Sequence, residues 1–330
     1  MNPLMQSLPG LEMPVESVVE TLAHMWDVPS VDGGHRMDFR ASQMNLVLHF
    51  GLETRPGEAL EQFETVVSFA QTYPCRIMVL CPGEESGGGT EFRGKLFSQC
   101  YIGKHLRDLC CCEALILGYS PERSDFLENQ ISIWLESDLP IYHWLHRVPA
   151  ARIERHYLGF LKRCRKVLFD GEREGERYDA IPWPDPTRVA DLAMARTLPF
   201  RQHIGQFLST FPPAILAEGL QSINFRHGAG QARLAWHLRC WHRKALEKCL
   251  ADPARIDSIP MRTTETDSSA DEIQIVWTYA VPSKHLRILY LPGAARGHIG
   301  GDLGNGPFAH SLHIDPMSPA AVLSEALFFV

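Results

Sequence analysis

The sequence MNLVLHF, residues 44–50, decides the fold. It is a short apolar run that ends at Gly51, which is typical of a buried β-strand. Helical periodicity follows over residues 57–73 and places these apolar side chains on one face: Leu60, Phe63, Val66, Val67 and Ala70. A second short apolar run, CRIMVL at 75–80, comes next. The order of strand, helix and strand indicates a layered α/β structure.

The same alternation continues to about residue 170. Further strands are predicted over residues 95–102, 112–117, 139–145 and 166–169. Helices are predicted over residues 121–137 and 152–164. Because strands alternate with helices, we predict an α/β (α+β) fold with mixed β-sheets.

The segment GEREGERYDAIPWPDP, residues 171–186, interrupts this alternation and is interpreted as a linker. The second half is predicted to contain helices within 188–220 and over 229–250 and 318–330, and strands over 222–226, 257–262, 273–280, 286–291 and 311–314. We therefore predict an N-terminal extension (1–40), an N-terminal α/β domain (41–185) and a C-terminal α+β domain (186–330). Each of the two domains is expected to be a mixed sheet flanked by helices.

Composition limits the class of protein. The chain has 330 residues, 45% hydrophobic and 22% charged, with a formal net charge of -7. Lys and Arg are not concentrated into a basic face, so we expect no nucleic-acid partner. The start resembles no signal peptide and no run reaches the roughly 20 apolar residues of a membrane span, so we expect a cytoplasmic protein with no membrane contact.

Motifs for catalysis or cofactor binding would indicate an enzyme. The dinucleotide, P-loop and nucleophile-elbow patterns are absent. A glycine-rich segment, 293–306, could wrap a ligand, but we favour an exposed loop. His143 and His146 are three apart in a strand-like segment, which points them to opposite faces and favours structural roles. We therefore assign no catalytic residue, no cofactor and no metal site.

Three cysteines follow one another at 110–112, and nine occur in the whole chain without a C-x-x-C pair. In a strand, Cys110 and Cys112 share one face and Cys111 points to the other. The neighbouring cations Lys104, His105 and Arg107 favour a thiolate, whereas nearby acidic residues oppose it. The cysteines could serve in packing, as a regulatory thiol or in a metal site. We favour packing for Cys112 and keep Cys110 and Cys111 as candidate redox thiols.

Several longer segments, taken in their order along the chain, resemble one known family. They are FRASQMNLVLHF (39–50), YPCRIMVL (73–80), CCEALILG (111–118), LESDLPIYHWLHRVP (135–149), KVLFD (166–170), LPFRQHIGQFLSTFPPAILAEGLQSINFRHGAG (198–230) and LAWHLRCWHRKAL (234–246). The chain thereby resembles the glucose-6-phosphate dehydrogenase assembly protein family (OpcA) over about residues 40–330. Two positions depart from its pattern: His143-Trp144-Leu145 stands where two tryptophans are common, and Phe200 stands where tryptophan is usual.

The resemblance implies a non-enzymatic factor of the oxidative pentose phosphate pathway. Such a protein would bind glucose-6-phosphate dehydrogenase, promote its active oligomer and activate it allosterically. It also implies redox control through thiols, with thioredoxin as a further partner. Candidate anchors for the enzyme are Trp144, Arg147, Arg201, His227 and Trp236, although packing in the core is the favoured role for the two tryptophans. Two alternatives stay open, namely an NADP- or sugar-phosphate-binding enzyme with an unrecognised site and a thiol-based redox sensor.

Overall fold

The computed structural model describes residues 2–24, 42–83, 93–102, 109–174, 177–267 and 271–330. The chain forms two compact units, one comprising Met1–Asp191 with Pro319–Val330 and the other Leu192–Ser318. Each unit has its own apolar core. The predicted α/β (α+β) class, with two mixed sheets flanked by helices, is confirmed.

The first unit contains a mixed sheet, which has eight strands within the described residues. The strands are β1 (Leu11–Pro14), β2 (Met44–Phe50), β3 (Cys75–Pro82), β4 (Arg93–Ile102), β5 (Leu109–Tyr119), β6 (Ile141–His146), β7 (Lys166–Phe169) and β8 (Val189–Asp191). Their order is β1-β4-β5-β3-β2-β6-β7-β8. The strands from β5 to β8 in this order are parallel, whereas β4 is antiparallel to both β5 and β1.

Before Asp191, the described helices of this unit are α1 (Pro3–Ser7), α2 (Val15–His24), α3 (Pro56–Ala70), α4 (Ser124–Trp134), α5 (Ala150–Arg152), α6 (Leu158–Leu161) and α7 (Gly171–Glu174). They cover the sheet, so all seven residues of β2 and all eight of β3 are buried. This burial explains why both strands are continuous apolar runs and not alternating ones. A π-helical turn, Ile153–Tyr157, separates α5 from α6 and interrupts the helix predicted over 152–164.

A buried ion pair joins β3 to β5. Arg76 Nη2 lies 2.7 Å from Glu113 Oε1 and 2.6 Å from Glu136 Oε1, and Arg76 Nη1 donates to the Trp134 carbonyl oxygen at 3.1 Å. Glu113 directly follows the three cysteines, and the Cys112 side chain beside it is buried. The pair therefore ties the start of β5 to β3 and to the end of α4, because a buried charge needs its partner.

The second unit contains α8 (Leu192–Arg196), α9 (Leu198–Leu208), α10 (Pro213–Ala217), α11 (Ala232–Glu247), β9 (Leu220–His227), β10 (Met261–Glu265), β11 (Ile273–Tyr279), β12 (His285–Leu291), β13 (Arg296–Asp302) and β14 (Pro307–His313). The strands form one sheet in the order β10-β9-β11-β12-β13-β14. β10 is parallel to β9 and the other neighbours are antiparallel. Buried and accessible residues alternate along β11 and β12, as expected when one face covers a core.

Two expectations for the second half were wrong. The glycine-rich segment 293–306, predicted as an exposed loop, contains β13, which pairs with β12 and β14. Its glycines permit close packing, since a Cβ on Gly301 would lie 2.2 Å from the His285 carbonyl oxygen. The strand predicted over 257–262 begins only at Met261, and a short 3₁₀ helix, Pro253–Ser258, precedes it.

The terminal helix α12 (Pro319–Phe328) packs against α3, β7 and β8 of the first unit. Its Ser324 hydroxyl donates to the Tyr73 hydroxyl at 3.1 Å. The predicted C-terminal domain covered 186–330, whereas the second compact unit covers 192–318. The difference arises because α12 buries its apolar face on the sheet of the first unit. The described part of the predicted N-terminal extension likewise adds β1 to that sheet.

The ends of β2 and β6 approach each other very closely. Gly51 N–H donates to the His146 carbonyl oxygen at 2.8 Å. A Cβ on Gly51 would lie 1.6 Å from the Arg147 carbonyl oxygen. Arg147 itself adopts a left-handed conformation with φ of 56°. Position 51 therefore requires glycine, and the chain leaves β6 in a conformation that L residues rarely adopt.

We expect Gly51→Ala to lower the free energy of unfolding by about 3 kcal/mol or more, because the methyl group meets main chain that cannot move away. Gly57→Ala is the matched control, since nothing lies within 4 Å of a Cβ there and alanine favours the first turn of α3. Urea denaturation of both variants measures the difference. Equal stability of the two variants would contradict the close approach.

Candidate functional site

The parallel strands β2 and β6 are neighbours at a switch point of the first sheet. From β2 the chain crosses through α3 to β3 on one side, whereas β6, β7 and β8 lie on the other side. In open α/β sheets a crevice forms outside the carboxyl ends of the strands at such a point. The charged side chains that follow β2, β6 and β7 meet there, and we call this group the switch-point cluster: Glu58, Arg147, Arg173 and Glu174.

Arg147 and Glu58 form the centre of the switch-point cluster. Arg147 Nε and Nη2 donate to the two carboxylate oxygens of Glu58 at 2.9 and 2.8 Å, which is bidentate geometry. Arg173 Nη1 lies 3.2 Å from Glu58 Oε1. The hydrogen bond from Arg147 lowers the pKa of Glu58 to about 2. Glu58 is therefore ionised throughout the neutral range and holds both guanidinium groups at this edge.

The second carboxyl of the cluster behaves in the opposite way. Glu174 Oε1 accepts a hydrogen bond from the Arg147 main-chain N–H at 2.6 Å. Arg147 makes this contact in its left-handed conformation. Burial raises the pKa of Glu174 to about 7. Two carboxyls with widely separated pKa values thus lie beside the same arginine, and such pairs are found where proteins bind ligands or catalyse reactions.

A cavity of about 370 Å³ opens beside the switch-point cluster. Its charged lining residues are Glu53, Arg147, Glu172, Arg173, Glu174 and Arg177. Arg177 is exposed and forms no ion pair with any described residue. A lining with both signs of charge can hold a polar small molecule or receive polar side chains of a partner protein.

A hydrogen-bonded network lies in the interior next to this edge. His49 Nδ1 is 3.2 Å from His143 Nε2, and His49 Nε2 is 2.7 Å from the Tyr119 hydroxyl. The Tyr157 hydroxyl, in the π-helical turn, is 3.1 Å from Tyr119 and 3.0 Å from the Ser124 hydroxyl. The space beside the network measures only about 10 Å³ and admits no ligand. The network therefore supports the sheet from within.

The three histidines of this region are neutral. Burial lowers the pKa of His49 to about 3 and that of His143 well below its ordinary value. Burial also lowers the pKa of His146 to about 4, and neither of its ring nitrogens has a hydrogen-bond partner in the described ranges. As predicted from their spacing of three, His143 and His146 contact different side chains: Phe160 for the first, Phe50 and Trp144 for the second. Within the described residues, no group of three or more His, Cys, Asp or Glu could hold a metal.

The expected anchors lie in two different units. Trp144 belongs to β6 and is only 3% exposed, whereas Arg147 joins the switch-point cluster. In the second unit, Arg201 Nε donates to the Thr197 hydroxyl at 2.9 Å and His227 is buried at the end of β9. Trp236 is 37% exposed, and the Arg233 guanidinium lies 4.6 Å from its ring centre. The backbone of Cys110 and Cys111 lies in β5, but their side chains fall outside the described residues.

Sequence reasoning missed three members of the switch-point cluster, Glu58, Arg173 and Glu174. Each lies shortly after a predicted strand or in the segment interpreted as a linker. A signal was present, because charged residues that follow neighbouring parallel strands meet at one edge of the sheet. That signal requires the strand order, which the sequence does not state.

The first unit is thus an α/β domain whose parallel strands converge on a charged crevice at their carboxyl ends. Residues 66–182, about a third of the chain, match the model of the OpcA glucose-6-phosphate dehydrogenase assembly family, described as the glucose-6-phosphate dehydrogenase subunit N-terminal domain. The resemblance found in the sequence is confirmed by this match, which lies within the first unit.

Comparisons with other proteins add little. No curated protein matches the chain. The solved structure of yvaA from Bacillus subtilis is 9% identical, with 87% of each chain covered and a TM-score of 0.39. Dipicolinate-bound dihydrodipicolinate reductase from Paenisporosarcina sp. TG-14 is also 9% identical, with 86% of this chain and 93% of that chain covered and a TM-score of 0.36. Similarities this weak carry no argument about function. In the ranges that the structure describes, no helix is long and apolar enough to cross a membrane.

Glu174 generates a pH dependence of stability. Its folded-state pKa is about 7, whereas an exposed glutamate titrates near 4.3. The folded state keeps the proton while the unfolded state loses it, so the contribution is full below pH ~4.3 and disappears as the pH rises through about 7. We expect Glu174→Gln to gain about 1–2 kcal/mol over the native chain at pH 8, allowing for partial solvent screening, and little at pH 4.

Urea denaturation at pH 4, 6 and 8 measures this difference between the two proteins. Glu154→Gln is the control, because Glu154 is exposed and has no ion-pair partner in the described ranges. A stability difference that does not change with pH would contradict the raised pKa of Glu174.

Proposed function

We propose that this protein is a non-catalytic assembly factor that binds glucose-6-phosphate dehydrogenase, promotes its active oligomer and activates it allosterically. It would act in the cytoplasm, in the oxidative pentose phosphate pathway. An activator of this kind works by binding the active state of its target more tightly than the inactive state.

The family match over residues 66–182 carries this proposal. These residues include β3 to β7 and therefore the central strands of the first sheet. They also include Arg147, Arg173 and Glu174 of the switch-point cluster. Glu58 fixes both guanidinium groups, so the charged edge loses little conformational freedom when a partner binds.

Arg177 is our candidate contact for the enzyme. It lines the cavity of about 370 Å³ and is exposed, and no described residue neutralises it. A free guanidinium beside a rigid charged cluster suits an acidic group on a partner, because exposed charge pairs mainly set association and orientation. Replacing it removes no ion pair or side-chain hydrogen bond with a described residue.

The test mixes purified protein with purified glucose-6-phosphate dehydrogenase. We expect co-elution, a shift of the enzyme to a larger oligomer by light scattering, and a lower KM for glucose 6-phosphate. Arg177→Glu should weaken the complex by about tenfold, since a like charge replaces an attractive one. Arg155→Glu, which makes the same charge change at an exposed position outside this cavity, should leave it unchanged.

An unchanged oligomer and unchanged kinetics after mixing would overturn the assembly role. If complex formation survives Arg177→Glu with full affinity, the partner surface lies elsewhere. Calorimetric titration of NADP⁺ and of glucose 6-phosphate into the protein alone tests the enzymatic alternative. Turnover by the protein alone would replace the proposal.

For the redox control implied by the family resemblance, the strand register offers a specific pair. Cys111 of β5 lies opposite Cys100 of the antiparallel strand β4. Directly opposed residues have Cα atoms about 4.5–5.5 Å apart, and disulfides span about 4.4–6.8 Å between Cα atoms. We propose that an oxidant such as hydrogen peroxide takes two electrons from these thiols to form a disulfide, and that a dithiol protein such as thioredoxin reduces it again. Cys110, which is opposite Tyr101, is the weaker candidate.

We expect peroxide treatment to produce a Cys100–Cys111 linked peptide in non-reducing mass spectrometry, and dithiothreitol to remove it. Cys111→Ser should abolish the product, whereas Cys110→Ser should not. Comparing activation of the enzyme by the oxidised and reduced forms then tests regulation. A linked peptide that persists in Cys111→Ser would contradict this pairing.

A further inference from the structure

A second, larger cavity lies at the opposite edge of the first sheet. It measures about 700 Å³ and opens where β6 and β7 begin, at Ile141 and Lys166. Leu327 and Phe328, from the end of α12, form another part of its wall. We call it the amino-edge cleft. It lies outside the switch-point cluster, and all its lining residues belong to the first unit.

The amino-edge cleft is strongly basic. Four of its twelve lining residues are cationic, namely Arg163, Arg165, Lys166 and Arg188, and none is acidic. The whole chain has a formal net charge of -7, so this concentration of positive charge is local. A concave surface lined by one sign of charge attracts ligands of the opposite sign.

These cations are available to a ligand to different degrees. Arg163 lies 3.1 Å from Glu128 and Arg188 lies 3.0 Å from Asp185, but both arginine side chains are 51% exposed. Ion pairs at that exposure are weak and exchange readily for a better partner. Arg165 is exposed and forms no ion pair with any described residue.

Part of the hydrogen-bonding capacity of Lys166 is already used. Its ammonium donates one hydrogen bond to the main-chain oxygen of Val330, which leaves two of its three N–H groups. Burial and the neighbouring guanidinium of Arg165 lower the pKa of Lys166. An anion placed between the two side chains would relieve both effects, because it would stabilise the charged ammonium and offset the repulsion.

The remaining wall is apolar and contains ring systems. Leu139, Pro140 and Leu327 contribute aliphatic surface, and the rings of Tyr142 and Phe328 lie 6.3 Å apart between centroids. The volume falls within the roughly 300–1,000 Å³ of small-molecule sites. Cations beside an apolar wall suit a molecule that has both phosphate groups and a ring.

We propose that the amino-edge cleft binds a small phosphorylated molecule of the size of a nucleoside diphosphate. Its phosphates contact Arg165 and Lys166, and its ring packs beside Phe328. An acidic segment of a protein is the less suitable occupant, because its carboxylates would use the cations but not the rings of Tyr142 and Phe328. This site is independent of the assembly role and of the switch-point cluster.

Isothermal titration calorimetry at low ionic strength, with the full chain, tests the proposal. The probes are ADP, inorganic pyrophosphate and adenosine. We expect one ADP to bind per chain, pyrophosphate to compete with it, adenosine to bind at least about tenfold more weakly, and added salt to weaken binding. Arg165→Ala and Lys166→Gln should each weaken ADP binding by about tenfold.

Arg155→Ala is the matched control, since Arg155 is exposed and does not line the cleft. Its ADP affinity should equal that of the native chain. Thermal unfolding of all variants establishes that they fold, and Arg165→Glu provides a second substitution at the exposed position. The proposal is overturned if ADP and pyrophosphate give no binding heat, or if Arg155→Ala weakens binding as much as Arg165→Ala. It is also overturned if an acidic peptide binds this cleft and ADP does not.

Discussion

The close approach of Gly51 to Arg147 is the constraint on which the first unit depends. No side chain fits at position 51, because a Cβ there would overlap the Arg147 carbonyl group. The segments that follow β2 and β6 therefore run close together, and Arg147 adopts a left-handed conformation there. That conformation is costly for a residue with a side chain and persists only where its surroundings hold it. Here two carboxylates do so, Glu58 at the guanidinium and Glu174 at the main-chain N–H.

The two edges of the first sheet differ in electrostatic character because different charged residues meet at each. At the carboxyl edge, cations and carboxylates are close enough to neutralise one another. The hydrogen bond from Arg147 lowers the pKa of Glu58, whereas burial raises that of Glu174. At the amino edge, basic residues that immediately precede β7 and β8 meet without an acidic lining residue. A rigid, internally paired edge suits recognition of a protein surface, whereas a basic cleft without acidic lining residues suits an anionic ligand.

Prediction from sequence succeeded where the hydrophobic pattern of a segment depends only on that segment's own strand or helix. The strands at 44–50 and 166–169 were predicted at their observed bounds, since buried parallel strands are short continuous apolar runs. It failed where the explanation lies in another part of the chain. The glycines of 293–306 are typical of a loop, yet Gly297, Gly300 and Gly301 lie in β13, where the backbone of β12 closely approaches Gly301. Of the switch-point cluster, only Arg147 was predicted as a site residue from the sequence, because the other members come from separate segments.

The sequence by itself determined the α/β class, most strand positions and the resemblance to the assembly family, because hydrophobic periodicity and local motifs are properties of neighbouring residues. Only the tertiary structure decided the strand order, and with it the meeting of Glu58, Arg147 and Glu174 at one edge. It also decided that α12 returns to the first unit and supplies Phe328 to the amino-edge cleft. The reason is physical: a helix or strand encodes which face is apolar, but what covers that face depends on the packing of the whole unit.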